Sequence, residues 1–472
     1  MRLSRLLLPL ALLCAEPAGA SRADWLDQAF DGNGGALETP QIRPPQPAAI
    51  AGDSPSQDER VWVEIYAPDK FARSRVADAG VSIEEVRGAT AAGIATPETL
   101  AKIRLNKAFV IQKVLRLKDF PAGDEAYHTF DEVETVLRGV TAAHRDLVSF
   151  IEIGRSLRGK ALMGLRFNTT AKGLEKSSKP GIVFLGTHHA REHLSTEIPL
   201  MLARWLGDNR AKPEVHKLLE ARDIFIIPLV NPDGAAYDIH DEDAKRLSRG
   251  KKEYRMHRKN LRRNANGSIG VDLNRNYGFH WGEGGASPNP GDDTFRGPSA
   301  FSEPETQAVK KLVESRDNIR VLLSYHTFSE LILYPWGHTY DSIPDGQALK
   351  AYRAMAGQMA QWTGYKPQQS SDLYIASGDT TDWAWGTHKI FSFTFELTPK
   401  SMWNGGFYPG PGVIEPTFQK NIQPALYLID LADDPYRAAS AGASAAAPTR
   451  SPERFSRASD CNLDRACSIS RR

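Results

Sequence analysis

Four runs of this chain are mainly apolar and carry or meet polar groups at their ends: Gly181–Leu185, Ile224–Val230, Val321–Tyr325 and Phe391–Leu397. Short, mainly apolar runs of this kind predict strands buried on both faces. Helical signals separate them. Ser195 is placed to cap a helix carrying Leu200, Leu202 and Trp205, and Ser302 with Glu305 has capping-box spacing ahead of a helix through Val313. This alternation from Tyr127 to about Asp434 predicts an α/β fold. Its centre is a mixed, mostly parallel sheet covered by helices on both faces.

The flanks read differently. Arg2 and Arg5 precede an apolar run from Leu6 to Cys14, and Ala18-Gly19-Ala20 follows as a small-x-small cleavage signature. That pattern predicts a signal peptide over 1–20 and a secreted protein, extracellular or periplasmic. Leu13 is too bulky for the position before a lipidated cysteine. Residues 21–58 are rich in Pro, Ala, Gly and Asp and predict a flexible linker. Residues 59–118 predict a small α+β unit: a strand at Val61–Tyr66, helices at Lys70–Ala79 and Pro97–Leu105, and a strand at Phe109–Leu117. A second linker is expected at 119–126, a longer solvated loop at Ile239–Glu253, and a disordered tail over 435–472. No segment after the leader is apolar for long enough to span a membrane. Among the 472 residues the formal net charge is only +2, so nothing points to nucleic acid as a partner. Cys461 and Cys467 could pair, but three cysteines do not make a disulfide scaffold.

Ligands of an open α/β sheet gather at the carboxyl ends of its strands, and those ends carry ionisable groups here. The first run leads into His188-His189-Ala190-Arg191-Glu192, the second into Asn231-Pro232-Asp233, the third into His326 and the fourth into Glu396. His189 and Glu192, three apart, can point the same way in a turn and suit zinc. A catalytic site needs a third ligand and an open position, and His326 is the natural third. Spacing alone leaves His188 as a competing ligand.

Six ordered motifs extend this reading. Gly186-Thr187-His188-His189-Ala190-Arg191-Glu192 resembles the first zinc signature of the funnelin zinc metallocarboxypeptidases, the family of carboxypeptidases A and B. Arg255-Met256-His257-Arg258-Lys259, Val271-Asp272-Leu273-Asn274-Arg275-Asn276, Ser324-Tyr325-His326 with Leu333 to Gly337, Leu373-Tyr374 with Ala376-Ser377-Gly378, and Phe393 to Leu397 resemble the family's remaining motifs in order. The resemblance spans about residues 127–434.

It implies a zinc-dependent carboxypeptidase that releases single amino acids from peptides or proteins with a free C-terminus. His189, Glu192 and His326 would hold one zinc ion, Glu396 would be the general base, and Arg258 would stabilise the oxyanion. Asn274 and Arg275 would clamp the terminal carboxylate, Tyr374 would close over it, and Arg191 would assist binding. Such an arginine fork matches a carboxylate in bidentate fashion. The pocket-base position, seven after the tyrosine, is Thr381, neither apolar nor acidic, with Asp379 on the wall. This predicts broad or mixed preference that accepts Arg and Lys. Phe328 stands where digestive relatives have tyrosine. The 59–118 unit sits where the family keeps an inhibitory pro-domain and reads either as one or as a permanent accessory domain. A monomer is expected. Two alternatives stay open at this point: a same-fold peptidase acting on cell-wall peptides, and a catalytically dead peptide-binding relative. Asn274, Arg275 and Tyr374 argue against the first, and the complete set of ligands and Glu396 against the second.

Overall fold

The computed structural model describes residues 60–117, 120, 127–239 and 254–441. The leader, the 21–58 linker, most of the 119–126 linker, nearly all of the 239–253 loop, the tail beyond 441 and all three cysteines lie outside the described residues.

Eight strands form the main sheet: β5 (Val148–Arg155), β6 (Ala161–Phe167), β7 (Gly181–Gly186), β8 (Asp223–Ile227), β9 (Ile319–Thr327), β10 (Leu331–Tyr334), β11 (Lys366–Gln369) and β12 (Phe391–Leu397). They lie in the order β11-β10-β12-β9-β7-β8-β6-β5. The centre, β12-β9-β7-β8, is parallel throughout, and β10, β6 and β5 join by antiparallel pairs. The central strands are apolar because alternate residues serve two cores. Ile182, Phe184, Val321, Leu323 and Tyr325 pack beneath the helices Phe130–Ala143, Leu194–Asp208, Gly346–Thr363 and Ile414–Leu431. Val183, Leu185 and Leu322 pack beneath Pro304–Glu314 and Thr380–His388. The expected two-faced α/β sheet is therefore present.

Local expectations needed correction. Ser195 is not the N-cap. The helix starts at Leu194 after His193, which makes no side-chain cap, and the Ser195 hydroxyl instead accepts from Thr187 N at 3.0 Å. Nor do Ser302 and Glu305 form a capping box. The helix starts at Pro304 without a side-chain cap, and Glu305 accepts from Leu157 N and Asn260 Nδ2. In both places tertiary partners took the polar side chain. The C-terminal segment runs in order past 435, through a 3₁₀ turn at Pro435–Arg437 and a short helix at Ala438–Ala441, with Ala438 buried in the core.

Ahead of these elements, β1 (Val61–Tyr66), β2 (Ser82–Arg87), β3 (Thr90–Ala95) and β4 (Ile111–Arg116) form an antiparallel sheet in the order β2-β3-β1-β4, with helices Lys70–Asp78 and Pro97–Leu105. The β2–β3 hairpin was not foreseen. Its register shifts between Ile83 and Glu85, so Glu84 is a bulged residue. Trp62, Ala92 and Ile94 of this unit share an apolar cluster with Phe328, Met402, Phe407 and Tyr408.

Candidate metal centre and active site

The loop after β7 begins under strain. Thr187 has a positive φ of 53°, costly for a β-branched residue, and the two hydroxyls that follow hold it there: Ser195 bonds its N–H and both Ser195 and Thr196 bond its side chain. This turn aims His189 and Glu192 to one side. His326, near the end of β9, meets them from the neighbouring strand.

The Glu192 carboxylate lies 2.6 Å from His189 Nδ1 and 3.0 Å from His326 Nδ1, and the two nitrogens are 3.2 Å apart. Two imidazole nitrogens facing each other across a carboxylate leave lone pairs converging on one point. Ligands in a tetrahedral zinc site stand about 3.3 Å from one another, so the spacing fits. The outer nitrogens have partners of their own: His189 Nε2 meets Asp272 Oδ1 at 3.1 Å and His326 Nε2 meets Ser324 Oγ at 3.0 Å. Such outer bonds fix tautomers and leave the inner nitrogens free to ligate. Burial pushes the Glu192 carboxyl up, but the two imidazoles prevail and hold it well below the usual range. Among the described residues this trio is a group able to hold a metal ion. His188 is not in it: its ring nitrogens are taken by Ser324, Tyr277 and Thr380.

Asp272, within the Val271–Asn276 motif, braces both His189 and Arg258. One oxygen supports His189, and the other accepts from Arg258 Nε at 3.0 Å. Burial disfavours the Arg258 cation, yet Asp272, Glu84 and Glu192 keep it charged. Glu396 sits on β12 directly across from His326 in register. Burial and then the Glu192 and Glu84 charges push its carboxyl well above the usual range.

A cleft of about 660 Å³ collects these residues: His189, Glu192, Arg258, Asn274, Arg275, Tyr374, Asp379 and Glu396 all line it. Asn274 Oδ1 accepts from both Thr380 N and Thr380 Oγ1 at 2.9 Å. Arg275 is braced by Gly285 O and Asn274 O. Thr381 lies one layer back, its hydroxyl 2.7 Å from that of Thr394, which lines the cleft. Phe328 is buried against Phe407.

The bulge in β2 brings Glu84 into the same cleft, a residue the sequence did not single out. Its carboxylate takes a 2.6 Å bond from Arg191 and lies 3.9 Å from Arg258. Arg191, fully buried, also bonds Asp293 and stacks on Phe407. Tyr374 donates to Ile83 O at 3.3 Å. Arg73 bonds the carbonyls of Asp372 and Leu373, and Ser74 accepts from Ile375 N.

A two-faced sheet with a His₂Glu cluster and a facing carboxylate at its strand ends defines a metal-dependent hydrolase. The zinc carboxypeptidase family profile matches residues 133–424. The zinc carboxypeptidase of Saccharothrix mutabilis subsp. capreolus is 34% identical over 390 residues, covering 77% of this chain and 87% of its own length. Carboxypeptidase A1 of Bos taurus is 33% identical over 308 residues, 62% of this chain and 67% of its own. Among solved structures, bovine thrombin-activatable fibrinolysis inhibitor in complex with tick carboxypeptidase inhibitor is 27% identical at a TM-score of 0.54, covering 65% of this chain and 98% of its own. Carboxypeptidase A from Helicoverpa armigera shares the fold at a TM-score of 0.65 and 24% identity, over 82% of this chain and 100% of its own. This chain belongs to the zinc carboxypeptidase family. It is a metallocarboxypeptidase that uses one zinc ion and hydrolyses the C-terminal peptide bond of peptides.

Proposed function

We propose that the protein is a secreted, monomeric carboxypeptidase of mixed side-chain preference, its activity lowered severalfold by its 59–118 unit, with His189, Glu192 and His326 as zinc ligands. The convergence of these ligands with Glu396, Arg258, Asn274, Arg275 and Tyr374 on one cleft carries the reading.

When bound, zinc supplies a Lewis acid that polarises the scissile carbonyl and lowers the pKa of the attacking water. The chain's own residues do the rest. Asn274 and Arg275 grip the substrate's free carboxylate, and Tyr374 closes over it. Glu396 takes the proton of the attacking water and hands it to the leaving amine. Arg258 donates to the oxyanion as charge develops there, oriented beforehand by Asp272. Asp379 and Thr394 form the wall met by the last side chain, with Thr381 behind. Glu84 occupies Arg191 and faces Arg258, where a substrate's polar groups would bind.

Blocked dipeptides ending in Phe, Leu, Arg and Lys, each as free acid and as amide, test this. All four free acids are cleaved and no amide is. Glu396→Gln retains zinc and loses at least about 10²-fold in kcat. No cleavage after Arg or Lys would remove the mixed preference, and an active Glu396→Gln would remove the base.

A further inference from the structure

His188 is fully buried beside the metal ligands and is spent in none of the steps above. Its ring stacks on that of His326, centroids 5.5 Å apart and 9° from parallel. Between them stands Ser324 Oγ, 3.0 Å from His326 Nε2 and 3.1 Å from His188 Nδ1. On the far side His188 Nε2 lies 2.9 Å from Tyr277 OH and 3.2 Å from Thr380 Oγ1, and Thr380 Oγ1 lies 2.9 Å from Asn274 Oδ1.

We propose that His188 is a positioning residue, the middle of a one-way line of hydrogen bonds from His326 to Asn274 that fixes which end of the Asn274 amide faces the substrate. The proposal rests on the roles given above to His326 and Asn274. Counting protons sets the direction. A His326 that ligates through Nδ1 carries its proton on Nε2 and donates to Ser324. The Ser324 hydroxyl then donates to His188 Nδ1, so the His188 proton sits on Nε2 and goes to Tyr277 and Thr380. The Thr380 hydroxyl is left to donate to Asn274 Oδ1, which also accepts from Thr380 N. With its oxygen held twice, the amide turns Nδ2, its donor end, toward a carboxylate. Asn274 is tied to the other imidazole as well, since Asp272 Oδ1 accepts from both Asn274 N and His189 Nε2. The carboxylate clamp is thus oriented from both histidine ligands.

The test uses the zinc-loaded protein as secreted. Zinc retention is measured by competition with a chelator, and KM and kcat with a free-acid dipeptide. His188→Leu is expected to weaken zinc retention about tenfold and raise KM about tenfold. Thr380→Val is expected to raise KM alone, with Thr380→Ser restoring it, and Ser324→Ala to weaken zinc retention. A residue that only packs would lower the unfolding temperature and move neither readout. If His188→Leu does not fold, Thr380→Val against Thr380→Ser decides. KM within twofold of wild type for Thr380→Val, while Asn274→Ala raises it, overturns the relay but leaves the clamp. An unchanged KM for Asn274→Ala overturns the clamp itself.

Discussion

Asp379 uses its two oxygens differently. Oδ1 caps the Thr380–His388 helix by accepting from Thr381 N and Asp382 N at 2.9 Å, while Oδ2 is buried without a partner. Burial and then the neighbouring Asp382 charge push its carboxyl up to about 7. Asp382 is better partnered, accepting from Gly337 N and His338 N and meeting His338 Nδ1. A carboxyl with a raised pKa is neutral below it and charged above it. Preference for Arg over Leu, as a ratio of kcat/KM, should therefore climb between about pH 6 and 8. In Asp379→Asn, which keeps the cap, the ratio should stay low and flat. A wild-type ratio that does not move with pH would place the basic-residue contact elsewhere. At this scale the convergence of His189, Glu192, His326 and Glu396 could be read from the sequence because polar groups closing a mainly apolar strand stand out. Asp272 and Ser324 could not. They meet the far nitrogens of His189 and His326, and sequence spacing carries no trace of that.

At the scale of elements, central strands and helices could be read because their periodicity is strong. The β2–β3 hairpin could not. Ser82–Arg87 carries two glutamates and an arginine, and a bulge breaks its alternation. The bulge depends on Gly93, where an added Cβ would stand 2.0 Å from Ser82 O. Gly93→Ala should force β2 away, lower stability by about 1–3 kcal/mol, and loosen the Glu84–Arg191 contact. Thermal unfolding should fall while kcat/KM of the full chain rises. Lower stability with unchanged activity would mean that Glu84 does not hold the cleft. Ser195 and Ser302 teach a related lesson. Capping signatures are local, but the Ser195 hydroxyl is claimed by Thr187 in the preceding turn and that of Ser302 by Asn276, far away in sequence.

Across the whole molecule, the N-terminal unit and the main sheet meet at polar and apolar contacts together. Arg60 bonds Asp293 and Arg255 O, Asp78 accepts from Gly285 N, and Glu85 accepts from Met402 N. Phe120, inside the expected second linker, is buried between Trp62 and Trp403. Cleavage in the 119–126 segment followed by separation of the unit should raise kcat/KM on small peptides severalfold, read by mass spectrometry of the product alongside activity. Equal activity before and after would make the unit a permanent accessory domain. Every step proposed for this protein nevertheless presupposes a single ion at the strand ends. Metal analysis of the folded protein and of His189→Ala, Glu192→Ala and His326→Ala tests that most directly. The account predicts one zinc per wild-type chain and severely reduced retention in each variant at unchanged secondary structure. A variant that still carried one tightly held zinc would contradict it.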